Sequence, residues 1–404
     1  MKIPFSPPYI DEDIIKEVSD VLRSGWITTG PKVLELQSLI RDITQSQQVL
    51  CVNSATSGLM LALKWFGIKS GDEVIIPAYT YAATALAVMH VGATPIMVDC
   101  NEDFNISIDA IQQKLTSKTK CIIPVDIGGW PCDYNEILQL LDQWDGFTPA
   151  NEIQKKLGRP FILADSAHSV GALYDNKRIG SIADVTVMSF HAVKNITTAE
   201  GGAICIQLPE SFNAEEEFKL LKLMSLNGQT KDALEKTNLG SWKYDIVLPG
   251  FKINMPDVLA AIGLTQLKNY TYLLEERRRV FDAYSSGFGQ YDQYIIPKAR
   301  DAKSESSYHL FPLRIKGITE LQRDKMINWI SEKGVSVNVH FTPLPMLSLF
   351  SSKGYDISDY PSAYQQYSTE ISLPIYPQLS QEEIAYVIKA VTESYNHLMN
   401  GETI

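Results

Sequence analysis

The apolar positions of this chain change period in a regular way. From Glu12 to about Leu22, the residues Ile14, Ile15, Val18, Val21 and Leu22 recur at helical spacing, and Ser24-Gly25 stops the run. A second helical pattern, through Leu34, Leu36, Leu39 and Ile40, follows Trp26-Ile27-Thr28-Thr29-Gly30-Pro31. From residue 49 onward, short and nearly continuous apolar runs alternate with helical stretches: 49–52, 74–76, 95–98, 121–125, 161–164, 185–189 and 203–206. Strands that are apolar at every position are covered on both faces. The rhythm therefore predicts an α/β fold whose mostly parallel, mixed sheet lies between helices. The polar stretch 143–160, carrying Gly146, Pro149, Gly158 and Pro160, predicts a loop-rich surface excursion. Beyond Met255-Pro256, one long helical pattern through Leu259, Ile262, Leu267, Leu274 and Phe281 leads into a second region of helices and strands. The expected organisation is an N-terminal arm over 1–13, a large domain over 14–255, and a linking helix with a smaller C-terminal α/β domain over 256–404.

Composition narrows the functional classes. A net charge of −11 argues against nucleic acid or an anionic membrane as a partner. The basic cluster Arg277-Arg278-Arg279, directly after Glu275-Glu276, reads as a solvated charged helix face. The five cysteines, Cys51, Cys100, Cys121, Cys132 and Cys205, lie in or beside apolar runs, form no CxxC pair and are odd in number. Reduced buried thiols in a cytoplasmic protein are the expectation. The N-terminus has no apolar signal core, and no window approaches the roughly 18 apolar residues of a membrane span, so neither secretion nor membrane insertion is expected.

The candidate chemistry centres on Lys194, in the run Ser189-Phe190-His191-Ala192-Val193-Lys194-Asn195-Ile196-Thr197-Thr198-Ala199-Glu200-Gly201-Gly202-Ala203, and on Asp165 in Asp165-Ser166-Ala167-His168. Singly, a lysine after a strand is a surface charge and an aspartate at a strand end is a turn residue. Together they supply an amine for a Schiff base and a carboxylate that keeps a pyridine nitrogen protonated, which is the requirement of pyridoxal phosphate chemistry. Asn53-Ser54-Ala55-Thr56-Ser57-Gly58 follows the first strand and opens a helix, a place where N–H groups and the helix dipole receive phosphate. Alone it is an N-cap, but Ser189 offers a further hydroxyl to the same phosphate. Pro77-Ala78-Tyr79-Thr80-Tyr81-Ala82-Ala83-Thr84 ends the next strand, where an aromatic either stacks on a flat ring or simply packs. There is no GxGxxG, and Gly67-Ile68-Lys69-Ser70 lacks the spacing of a P-loop. The histidines His90, His168, His191, His309, His340 and His397 are scattered without ligand spacing, so no metal site is expected.

With these motifs, Ser24 to Pro31, Gly250-Phe251-Lys252-Ile253-Asn254-Met255, Ala260-Ala261-Ile262-Gly263-Leu264, Val339-His340-Phe341 and Leu373-Pro374-Ile375-Tyr376-Pro377, the chain resembles the DegT/DnrJ/EryC1/StrS family of sugar aminotransferases over nearly its whole length. The resemblance implies the fold type I architecture of pyridoxal phosphate enzymes, and a homodimer with active sites shared between subunits. It implies that Lys194 carries the internal aldimine, Asp165 pairs with the pyridine nitrogen and His168 bonds the ring hydroxyl or edge. Tyr81 would stack on the ring, and Ala55, Thr56 and Ser189 would hold the phosphate. Asn254 would reach it from the partner subunit, although many relatives place the asparagine where this chain has Lys252. Asn195 and His340 would contact a nucleotide-linked keto-deoxy sugar, aminated most often at C4, with L-glutamate as donor. Transamination at C3, a cyclitol ketone, or a non-catalytic regulator binding the cofactor or sugar nucleotide are the alternatives. The dehydratase branch, in which histidine replaces the lysine, is disfavoured by Lys194. Asp126-Ile127-Gly128-Gly129-Trp130-Pro131-Cys132-Asp133 departs from the His-containing, Gly-Gln-Pro-like segment of better-known members, and is a candidate substrate-facing element.

Overall fold

Seven strands build the central sheet: β1 (Gln48–Val52), β2 (Glu73–Pro77), β3 (Thr94–Val98), β4 (Thr119–Ile122), β5 (Phe161–Asp165), β6 (Val185–Ser189) and β7 (Gly202–Ile206). The computed structural model describes residues 1–232, 234 and 242–401, so residues 402–404 of the expected C-terminal domain lie outside the described residues. The strand order is β1-β7-β6-β5-β4-β2-β3. Strands β3, β2, β4, β5 and β6 run parallel, while β7 is antiparallel to both β6 and β1. Alternate residues of each strand feed two cores, which is why both parities are apolar. Leu50, Val74, Leu163, Val187 and Ile204 face the helices Ala55–Trp65 and Ala82–His90. Cys51, Ile75, Ile162, Met188 and Ala203 face the helices Pro31–Thr44, Tyr134–Gln143 and Asp257–Lys268. All five cysteines are free and buried in these layers.

A third core gathers around a smaller antiparallel sheet of β8 (Tyr294–Ile295), β9 (Phe311–Ile315) and β10 (Glu370–Leu373). It is covered by helices Tyr270–Phe288, Glu320–Glu332 and Gln381–Met399. Capping boxes fix two of these helices at their N-termini: Thr319 with Gln322, and Ser380 with Glu383. The chain does not stay with the small sheet after His340. Leu344, Phe350, Tyr360 and Ala363 return to the core of the large sheet, and Leu344 donates its N–H to Ala78 at 2.8 Å.

Three expectations are corrected. The stretch 143–160 contains the short helix Glu152–Leu157, held by the Asn151 side chain as N-cap and by Gly158 in the left-handed conformation. Gln154 on it is fully buried, donating to the Phe66 carbonyl. The long pattern after Pro256 is two helices, broken at Asn269, whose φ of −103° and ψ of 11° leave helical geometry. Arg277 is not solvated: it is 3% exposed and donates to the Ile375 carbonyl at 3.0 Å. One turn either way stand Leu273 and Phe281, so helical geometry turns Arg277 inward while Arg278 and Arg279 pair with Glu275, Asp282 and Glu276 outside.

Candidate active site

The parallel strands β5 and β6 end side by side, with Asp165 opposite Val187, so their carboxyl ends open onto one crevice. Asp165 is 6% exposed and accepts from the Thr84 hydroxyl at 2.8 Å. Burial raises its carboxyl above the ordinary range, against the lowering effects of Thr84 and the Lys194 charge. Lys194 sits on the turn after β6, where its N–H returns to His191 and Thr198 returns to Phe190, both at 2.9 Å. Burial pushes its amine down from 10.5 to about 8, with Asp165 acting in the opposite sense. Two opposite charges thus share one poorly hydrated space of about 460 Å³.

The helix Ala55–Trp65 points its N-terminus at this cavity, and its leading turn, Ser54-Ala55-Thr56, forms part of the wall. The Ser54 hydroxyl accepts the Ser57 N–H at 3.1 Å, while the first-turn N–H groups have no acceptor within the helix. Gly202 lets this turn lie flat on the sheet: a Cβ there would sit 2.7 Å from both Ala55 N and Met188 O. Ser189, at the end of β6, lines the same region.

Tyr81, immediately before helix Ala82–His90, is 63% exposed and leans on Phe341 with ring centres 5.7 Å apart. His168 accepts the Gly128 N–H on Nδ1 at 3.2 Å. Burial, then the charges of Lys194 and His340, hold it well below the usual histidine range. A neutral imidazole that accepts on Nδ1 carries its proton on Nε2, so His168 presents a donor. His309 packs against it at 4.4 Å between ring centres.

The structure brings Lys194, Asp165, His168, Ser189, Tyr81, Ala55, Thr56 and His340 to one cavity. It does not bring Asn195, a correction to the expected substrate contact. Asn195 is buried, its amide nitrogen donates to Ser307 O at 2.7 Å, and its oxygen is bonded to His309 Nδ1 at 2.8 Å. It positions His309 instead. Asn254 lies outside this chain's own cavity and donates to Thr29 at 2.6 Å. The Asp126–Asp133 segment also fails to line the cavity. Its Asp126 is fully buried, taking the hydroxyls of Ser166, Ser169 and Tyr134 and the Cys132 N–H. The segment reaches the site through Gly128, which holds His168, while Ile127, Gly128 and Trp130 line a neighbouring cavity of about 510 Å³.

Sequence reasoning missed three walls. Phe5 stacks on His340 at 5.3 Å, and Ser6 donates to the Val193 carbonyl at 3.3 Å. The arm is placed by Ile3, which pairs with Val335 like an extra strand. His309 and Phe341 are the others, and no local spacing signals them. Among the described residues, no group of three or more His, Cys, Asp or Glu is arranged to hold a metal ion, and no helix is long and apolar enough to cross a membrane.

The residues fit pyridoxal phosphate: an amine beside a buried carboxylate, a helix N-terminus with hydroxyls for the phosphate, and an exposed tyrosine on the wall of the same cavity. The comparisons agree. The profile of the DegT/DnrJ/EryC1/StrS aminotransferase family matches residues 8–392. The spore coat polysaccharide biosynthesis protein SpsC of Bacillus subtilis is 34% identical over 399 residues, covering 97% of this chain and 96% of that protein. The putative sugar aminotransferase Spr1654 from Streptococcus pneumoniae, in its PMP form, superposes with a TM-score of 0.95 at 44% identity, covering 98% of this chain and 100% of that one. Its PLP form gives the same TM-score at 42% identity, with the same coverage. The Helicobacter pylori aminotransferase PseC, involved in the biosynthesis of pseudoaminic acid, follows at 0.86 and 26%, covering 98% and 100%. The chain belongs to the DegT/DnrJ/EryC1/StrS aminotransferase family, pyridoxal phosphate enzymes of fold type I.

Proposed function

We propose that this enzyme, as a cytoplasmic homodimer, moves an amino group from L-glutamate to the C4 keto group of a nucleotide-linked deoxy sugar for amino-sugar or surface polysaccharide synthesis. The observation that carries the reading is the desolvated Lys194–Asp165 pair at the ends of β5 and β6. Likeness to SpsC and to the Streptococcus pneumoniae sugar aminotransferase supports a sugar acceptor.

When bound, pyridoxal phosphate supplies an aldehyde that takes up amines and a ring that accepts an electron pair. The chain's residues do the rest. Asp165 would keep a positive charge on the ring nitrogen, since a buried carboxylate is most stable opposite a cation. His168 would donate from Nε2 to the ring hydroxyl or edge. Tyr81 would cover one ring face, and Ala55, Thr56 and Ser189 would hold the phosphate, joined by Asn254 of the other subunit. Once released, the Lys194 amine would serve as the base and acid that carries the proton between the substrate carbon and the cofactor carbon. An amine with a pKa of about 8 is suited to both directions near neutral pH. His340 faces the sugar.

The test is spectroscopic. Protein loaded with pyridoxal phosphate is expected to show a visible band that Lys194→Ala lacks. L-Glutamate should bleach it, with one 2-oxoglutarate released per site, and a UDP- or dTDP-linked 4-keto sugar should restore it. A band that ignores every amino donor would point to a binding protein. Recovery only with 3-keto sugars or a cyclitol ketone would move the acceptor.

A further inference from the structure

Glu370, on β10, is fully buried and takes no part in the reading above. Its carboxyl accepts two hydrogen bonds, from the His340 N–H at 3.1 Å and from the Ser372 hydroxyl. The Ser372 oxygen is in turn 2.9 Å from Nδ1 of His340. Phe5 covers one face of that imidazole, and Tyr79 fixes its carbonyl at 2.7 Å. Three protonatable side chains therefore stand in a line from a sealed core position to the wall of the Lys194 cavity.

We propose that Glu370, Ser372 and His340 form a proton relay that ends in the cavity at Nε2 of His340. The inference rests on reading that cavity as the site of sugar amination. Hydrogen-bond bookkeeping allows the line two senses. With Glu370 ionised, Ser372 donates to the carboxylate, Nδ1–H donates to Ser372, and Nε2 is a bare acceptor. With Glu370 protonated, its O–H donates to Ser372, Ser372 donates to Nδ1, and Nε2 carries the proton. In this second state Nε2–H can pass its proton to a substrate oxygen. The Nε2–H bond breaks, an O–H bond forms, Nδ1 takes the serine proton, and the serine oxygen takes the Glu370 proton. Glu370 is left ionised, one proton has moved, and no other reactant is consumed. The reverse sequence removes a proton from a substrate hydroxyl.

The surroundings favour both senses near neutral pH. Burial raises the Glu370 carboxyl to about 8, against the lowering effects of Ser372, the His340 N–H and Arg323 on helix Glu320–Glu332. Burial and the charge of Lys194 push His340 down to about 3, so the ring changes tautomer without becoming charged. The other titratable groups facing this line are Tyr79 from the loop after β2, and His168 and His309 across the cavity. Both histidines are neutral for the same reason of burial.

The experiment reads the tautomer directly, on the full-length protein labelled with 15N-histidine and without any sugar. The His340 signals are assigned by their loss in His340→Gln. Across pH 6 to 10 the two ring nitrogens are expected to exchange roles around pH 8, from Nε2–H to Nδ1–H, without an imidazolium signature. Ser372→Ala and Glu370→Gln should each abolish the exchange, and Ser372→Thr should preserve it. A single tautomer over the whole range in the wild type, or an exchange that survives Ser372→Ala, would overturn the relay. Because no substrate enters the measurement, failure here is distinct from failure of the sugar reading, which the absorbance test decides.

Discussion

Replacing Lys194 should make the cofactor-free protein more stable. Lys194 is held as an amine whose pKa falls from 10.5 to about 8 because folding strips water from it faster than Asp165 compensates. Each tenfold step is worth about 1.4 kcal/mol, so a charged Lys194 costs the native state about 3 kcal/mol. The folded pKa lies below the unfolded one, which fixes the pH window. The cost is full below about pH 8, shrinks between pH 8 and 10.5, and is absent above. Lys194→Met keeps the volume of the stem and removes the charge. Urea denaturation of the cofactor-free proteins should therefore show the variant more stable by about 3 kcal/mol at pH 7, with the gap closing toward pH 10.5. Asp165, His168, His309 and His340 also respond to the Lys194 charge, so the diagnostic is the closing of the gap between pH 8 and 10.5, the window of the amine itself. Equal stabilities at pH 7, or a gap unchanged at pH 10.5, would refute the reasoning.

Asp257 accepts three backbone N–H groups, from Gly30, Lys32 and Val33, and so caps the helix Pro31–Thr44 from a distant part of the chain. Asp257→Ala should lower stability by about 2–4 kcal/mol, and Asp257→Asn by roughly half as much, read from thermal midpoints. Gly202→Ala places a methyl group against backbone on both sides, so pyridoxal phosphate affinity should fall at least about tenfold in an absorbance titration while circular dichroism stays native. Thr84→Val removes the hydroxyl bound to Asp165 and raises that carboxyl further; cofactor affinity should drop several-fold, and Thr84→Ser should restore it.

The parts of this enzyme legible in the sequence are those where chemistry or layering constrains single residues. Strands buried on both faces must be apolar throughout, so β1 to β7 announce themselves. Asp165 stands at the end of β5 and Lys194 on the turn that follows β6, at the carboxyl edge of the sheet where ligands bind in such folds. What was hidden depends on long-range placement. Arg277 looked solvated because a run of charges was read as one face, although three consecutive helical residues point in three directions. Asn195 adjoins Lys194 in sequence, yet the turn carries its amide away from the cavity and onto Ser307 and His309. Phe5 and His309 join His340, which the family resemblance does name, only through long-range packing, and nothing in their sequence spacing records it.

The cavity takes walls from Phe5 at one extremity of the chain and Ile375 near the other. A nascent chain emerging from the ribosome therefore holds the residues proposed to grip the cofactor, all between Ala55 and Asn254, well before the wall at His340, Phe341 and Ile375 is made. An N-terminal fusion that displaces the first six residues alters the wall of the Lys194 cavity itself.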